Sequence, residues 1–276
     1  MRLIITILCI TALYSCQPSG EAGSEDSGKA QIEAGVTRWD EVNFPIELKI
    51  SKKFTNDEVE GIELTSSEWE TATENQLNFF TIDSDPSNTN IEYSDLNDYN
   101  DDEMGIYSMD SWNDSLPTDA LAVTQLFGLQ NSNGSVEITH ADILLNEESY
   151  NFTTDPEDST KYDLNTVMLH EIGHFIGLAH VGFNVESIMN PSISSGDVMR
   201  ETALNDKQTL AATYSLTTSH YDGSALSAED ESFKLVQGLS GDNQKKFVKI
   251  LIQLKADGEC VHTMNGETIH SHQSEI

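Results

Sequence analysis

Residues 170–180 read HEIGHFIGLAH, three histidines and a glutamate within eleven positions of a 276-residue chain that holds only eight histidines. Upstream, the sequence predicts a helix capped at Asp163, whose short carboxylate can accept from the first unpaired N–H groups. Leu164, Val167, Met168, Ile172, Phe175 and Ile176 recur at helical spacing and form one apolar stripe. His170 and His174 are one turn apart and project together from another face, about 6 Å from each other along the axis. His180 could not join them on a continuing helix, because six further residues would rotate it by about 240° and carry it about 9 Å onward.

Gly177 resolves the difficulty. Glycine tolerates the left-handed conformation that ends a helix, so the chain can turn there and bring His180 back. The result is three neutral nitrogens around one ion, with a fourth position left for water, and zinc suits that ligand set. Glu171 follows the first ligand, close enough to reach such a water without being a ligand itself. A lone histidine on a helix usually means nothing, but this combination is a specific signal.

The pattern HExxHxxGxxH, followed by Met189 in Ser187-Ile188-Met189-Asn190-Pro191, resembles the metzincin metallopeptidases and, through SIMNP, their matrixin branch. The likeness covers roughly 38–215. It implies an α/β, zincin-like fold: a twisted, mixed five-stranded sheet with two long helices, above a smaller lower subdomain with a third. It implies that His170, His174 and His180 hold a catalytic zinc, that Glu171 is the general base, and that Met189 lies as an apolar floor beneath the metal. By the same likeness HADILLN (140–146) would be the edge strand along which an extended substrate adds. An apolar S1′ pocket would be bounded by 189–202. The reaction expected is hydrolysis of internal peptide bonds by a zinc-activated water, with protein or peptide substrates. The competing reading is a binding lipoprotein that keeps the scaffold without turnover; its sequence mark would be a lost base or ligand, and none is lost.

The sequence departs from the family in places. Animal matrixins hold a second, structural zinc with histidines near the edge strand. Only His140 lies in that region here, so no structural zinc is predicted. Calcium is a second candidate ion, because DLNDYNDDE (95–103) is dense in oxygen ligands. The family's latency device, a propeptide cysteine, has no counterpart before Trp39. Cys260 reads as a buried or idle thiol, although a thiolate is a good zinc ligand and could act from the far end.

Composition sets the surroundings. The chain carries 47 acidic against 14 basic residues, a formal charge of −33, which argues against nucleic acid and anionic membrane surfaces as partners. MRLIITILCITALYSC (1–16) has the form of a secretion signal, too short for a membrane span. Its end, Leu13-Tyr14-Ser15-Cys16, resembles a bacterial lipobox, so Cys16 is the expected site of lipidation and the only expected membrane attachment. The expected location is extracytoplasmic.

Residues 17–37 are small, polar and acidic and read as a flexible tether. Within 38–215, FPIELKI (44–50), NIEY (90–93), ALAVTQLF (120–127) and SVEITHADILLN (135–146) read as strands. Residues 57–77 read as a helix, and 204–214 as another, capped at Asn205. Residues 216–276 form a C-terminal extension without an assigned role. It reads as two amphipathic helices, AEDESFKLVQGL and NQKKFVKILIQLKA, followed by a hairpin turning at Asn265-Gly266. In the hairpin register so expected, His262 and His270 fall on opposite faces, which argues against a second metal site.

Overall fold

The computed structural model describes residues 36–83, 92–132, 134–182, 185–222, 245–256 and 260–272. The signal, Cys16, nearly all of the tether and the first expected C-terminal helix lie outside the described residues. Among the described residues no helix is long and apolar enough to cross a membrane.

Five strands build the central sheet: β2 (Ile46–Ile50), β3 (Phe80–Asp83), β4 (Met104–Met109), β5 (Ala120–Gln130) and β6 (Val136–Asn146). Their order is β5-β6-β4-β2-β3. β6, β4, β2 and β3 are mutually parallel, whereas β5 runs antiparallel to β6. This is the mixed five-stranded sheet that the resemblance implies. A short β1 (Thr37–Trp39) adds in parallel to the start of β6. Successive side chains on a strand point to opposite faces, and β6 uses both. Ile143 and Leu145 enter the main core, while Leu144 joins a second apolar cluster around Tyr99, Tyr107 and Trp112.

The main core is closed by α1 (Asn56–Ala72) and α2 (Leu164–Phe175). Thr55 and Glu58 form a capping box at the start of α1, and Asp163 caps α2 by accepting from the Thr166 N–H at 2.8 Å. All twelve residues of α2 are buried, because the sheet, α1 and the lower half enclose it. Trp69 of α1 donates its indole N–H to Leu169 O at 2.9 Å, which fixes the two helices against each other. The lower half carries α3 (Leu204–Thr213) and a two-stranded ribbon of β7 (Phe152–Thr153) and β8 (Tyr162–Asp163).

Several expectations need correction. HADILLN is not an edge strand: it belongs to β6, which is hydrogen-bonded to β5 on one side and to β4 and β1 on the other. The strand at that side of the five-stranded sheet is β5. α3 is capped at Ala203, not Asn205, and the Asp206 carboxylate reaches back to the Ala203 N–H at 2.8 Å. Of NIEY, Glu92 and Tyr93 are not in a strand.

The largest correction is C-terminal. KFVKILIQLK is not helical but forms β9 (Lys246–Lys255), with Val248, Ile250, Ile252 and Leu254 buried at a period of two. It pairs antiparallel with β5 and continues the central sheet through β10 (Cys260–Met264) and β11 (Glu267–His272). The hairpin does turn at Asn265-Gly266, both with positive φ. A register shift between His262 and Thr263 makes His270 the partner of His262 across the pair, so the register assumed from the sequence does not hold.

Candidate metal centre

The end of α2 determines where the third histidine goes. Gly177 has φ +94°, and a Cβ built there would stand 2.1 Å from Thr37 O, so both the conformation and the space require glycine. The terminal carbonyls of the helix are all answered. Ile172, Gly173 and His174 accept from the backbone N–H groups of Ile176, Leu178 and Gly177. Phe175 O accepts from the Trp39 indole at 2.8 Å, and Ile176 O from the Tyr214 hydroxyl at 2.9 Å. A helix end buried without such partners would be costly. Here β1 and α3 supply them, and the chain leaves the helix toward His180.

The three histidines meet. Nε2 of His174 lies 3.0 Å from Nε2 of His170 and 2.9 Å from that of His180; the remaining separation is 3.1 Å. Nδ1 of His170 lies 2.8 Å from Ile188 O, and Nδ1 of His174 lies 2.8 Å from Leu178 O. A carbonyl can only accept, so these Nδ1 atoms carry the protons and both Nε2 atoms present lone pairs. Burial holds His170 down to about 4 and His174 well below its ordinary value, so both rings are neutral at pH 7. Lone pairs aimed at one another at this range repel. A cation among them turns that repulsion into ligation, and a tetrahedral ion with bonds of about 2.0–2.1 Å spaces its ligands by roughly 3.3 Å. The donor set therefore fits zinc.

Glu171 sits on the same buried wall. Its Oε2 and its backbone O both accept from the Thr124 hydroxyl of β5, while its Oε1 has no partner among the protein atoms. Burial pushes the carboxyl up to about 8, against the lowering effect of the Thr124 hydrogen bond.

Met189 packs against α2 at Gly173, the residue before His174. A Cβ on Gly173 would meet its Sδ at 2.4 Å, which explains the glycine inside HEIGH. The turn that carries Met189 is held by Asp206, which accepts from the Ser187 hydroxyl and from the Ile188 N–H at 3.0 Å. Arg200 pairs with the capping Asp163, tying the segment after the turn back to the start of α2.

Of the residues the sequence singles out, the structure brings His170, His174 and His180 together, with Glu171 on the same helix, Gly177 at the turn that returns His180, and Met189 against Gly173. Sequence reasoning missed Thr124 and Asp206, and it set His262 aside on the expected hairpin register, whereas that side chain is buried. The acidic side chain at the third position of α3 was the available signal for Asp206. His262 Nε2 lies 2.8 Å from His180 Nδ1, and Cys260 joins these two in a cluster whose ligand atoms are within 4.8 Å of one another. Of the calcium candidates, Asp95 and Asp101 accept from neighbouring turn N–H groups and Glu103 pairs with Lys49. Among the described residues that run contributes no metal-binding group. His140 is buried against Asp142, Nε2 to Oδ2 2.9 Å.

Comparison with known proteins agrees with this geometry. Metalloendoproteinase 5-MMP of Arabidopsis thaliana is 32% identical over 103 residues, which is 37% of this chain. The chain spans 27% of that relative's length. The Matrixin family model matches residues 37–215. That match takes in more than half of the chain, which therefore belongs to the matrixins, a family of zinc metallo-endopeptidases.

Proposed function

We propose that this matrixin hydrolyses internal peptide bonds of extracytoplasmic proteins, with His170, His174 and His180 as ligands of one zinc ion and Glu171 as general base. The observation that carries the reading is the convergence of three imidazole Nε2 atoms within 3.1 Å beside a buried carboxyl group. Zinc, when bound, acts as a Lewis acid that polarises a carbonyl and makes water more acidic.

The chain's own residues do the rest. Burial alone would keep the Glu171 carboxyl protonated at pH 7, and a zinc cation bound beside it would favour the ionised form. Thr124 fixes one oxygen, which leaves Oε1 to take a proton from the attacking water. As the C–O bond forms and the C–N bond breaks, Glu171 passes that proton to the leaving amine. No covalent enzyme intermediate is needed. Ile188 O and Leu178 O hold the ligand rings in the productive tautomer. Met189 packs against Gly173 and stiffens the helix from below. An apolar S1′ pocket bounded by 189–202 would set the preference beyond the cut bond.

The second reading, a silent binding protein, is favoured by the burial of the site: His170, Glu171, His174 and His180 are each 0% exposed. Zinc-loaded protein offered casein decides between the two. Cleavage stopped by a chelator, and lost in Glu171→Ala with zinc content unchanged, supports the peptidase. Zinc-loaded protein inert on a broad peptide library sinks it. The apolar start of the chain and Leu13-Tyr14-Ser15-Cys16 support a lipid-anchored, extracytoplasmic location. Membrane release in Cys16→Ala tests it.

A further inference from the structure

β9 runs antiparallel along the whole outer side of β5, from the Gln130–Lys246 pair to the Ala120–Lys255 pair. β5 is the strand whose Thr124 holds Glu171, and Ile252 of β9 is the register partner of Thr124. A chain laid on this edge therefore passes beside the base. An extended peptide presented for hydrolysis would draw its backbone hydrogen bonds from the same edge, by strand addition. β9 fills that edge with a resident strand whose aliphatic side chains Val248, Ile250, Ile252 and Leu254 enter the main core.

One strand further out, β10 brings His262 Nε2 to 2.8 Å from Nδ1 of His180 and buries Cys260 in the same cluster. The ligands and the base have no exposed surface beneath this cover. All three C-terminal strands lie beyond the residues that match the family.

We propose that strands β9, β10 and β11 are a built-in inhibitor: β9 occupies the peptide-docking edge of β5, and His262 of β10 latches the tail to the metal centre through His180. The inference rests on the peptidase reading above. It also defines the partner that the edge fits, an extended segment with aliphatic residues at alternate positions. Because the tail belongs to the same chain, it competes at an effective concentration on the order of millimolar. A free peptide gains the edge only when the tail is displaced or cut away.

The test uses the zinc-loaded full chain, Ile252→Pro, and the double variant Leu129→Cys/Phe247→Cys, whose positions are register partners across β5 and β9. Proline removes a backbone donor and is not accommodated inside a paired strand. Three quantities are read: hydrolysis of a fluorogenic peptide with alternating aliphatic residues, the rate of zinc loss to a chelator, and amide exchange of residues 120–130. Ile252→Pro is expected to raise kcat/KM roughly tenfold or more. It should also speed zinc loss and deprotect β5 while α1 and α2 stay protected. The oxidised cysteine pair is expected to suppress hydrolysis, and a reductant to restore it.

Wild type and the oxidised pair both cleaving as fast as Ile252→Pro would overturn the inhibitor and leave the peptidase standing. No cleavage by any form, even with β5 deprotected, removes the peptidase reading and the inhibitor with it. Should Ile252→Pro unfold, seen as lost protection of α1 and α2, the cysteine pair decides alone: redox-independent hydrolysis overturns the proposal.

Discussion

The Asp206 carboxylate accepts the backbone N–H of Ile188 at 3.0 Å, and the carbonyl of the same Ile188 accepts from Nδ1 of His170 at 2.8 Å. A side chain on α3 thus orients a ligand on α2 through one peptide unit. Asp206→Ala leaves the Ser187 hydroxyl and the Ile188 and Ala203 N–H groups without their acceptor. Zinc affinity should fall roughly 10–100-fold, as for other groups that orient ligands, with a stability loss of about 1–3 kcal/mol. Competition against a chromophoric chelator, together with urea unfolding, checks both; unchanged affinity would show that the turn holds itself.

Gly177→Ala is expected to cost more than 1 kcal/mol and to weaken zinc binding. Its φ of +94° disfavours any side chain, and the added carbon would press on Thr37 O. Gly182→Ala serves as the control, because a Cβ there meets nothing within 4 Å. Equal unfolding midpoints for the two variants would contradict the account of how His180 is brought back.

Metal removal should lower the melting temperature, because zinc binds the assembled site and not the unfolded chain. At a free concentration a thousandfold above its dissociation constant, the ion contributes roughly 4 kcal/mol. Scanning calorimetry with a chelator, then with zinc restored, tests this. A melting temperature indifferent to both treatments would refute ligation by the three histidines.

Thr124→Val removes the hydroxyl that holds Glu171 while leaving the ligands alone. In chains that also carry Ile252→Pro, kcat should fall at least roughly tenfold, a part of what a positioned base contributes. KM and zinc content should change little. A loss confined to KM would assign Thr124 to substrate binding instead of to the base.

The metal centre was legible because its ligands are local in sequence: His170 and His174 lie one helical turn apart, and Gly177 announces the break that returns His180. Partners that come from afar left no such trace. Thr124 is one polar residue in an apolar strand, and nothing in its neighbourhood names Glu171. Residues 246–255 carry apolar side chains at 247, 248, 250, 251, 252 and 254, dense enough to satisfy helical and strand periods alike; pairing with β5 decided between them. HADILLN and ALAVTQLF are both strand-like, but which one lies outside depends on strand order, a property of the whole sheet. The His262–His270 register turned on a shift after His262 that no residue type signals.

A strand left unpartnered is a template for aggregation as much as for recognition. β5 reads ALAVTQLFGLQ, eleven residues without a charge. Covered by β9, it is withdrawn from other polypeptides, and the sheet's outermost strand on that side becomes the six-residue β11, which begins with Glu267. Molecules with β5 bared would be prone to pair with each other, so self-association should rise with activity.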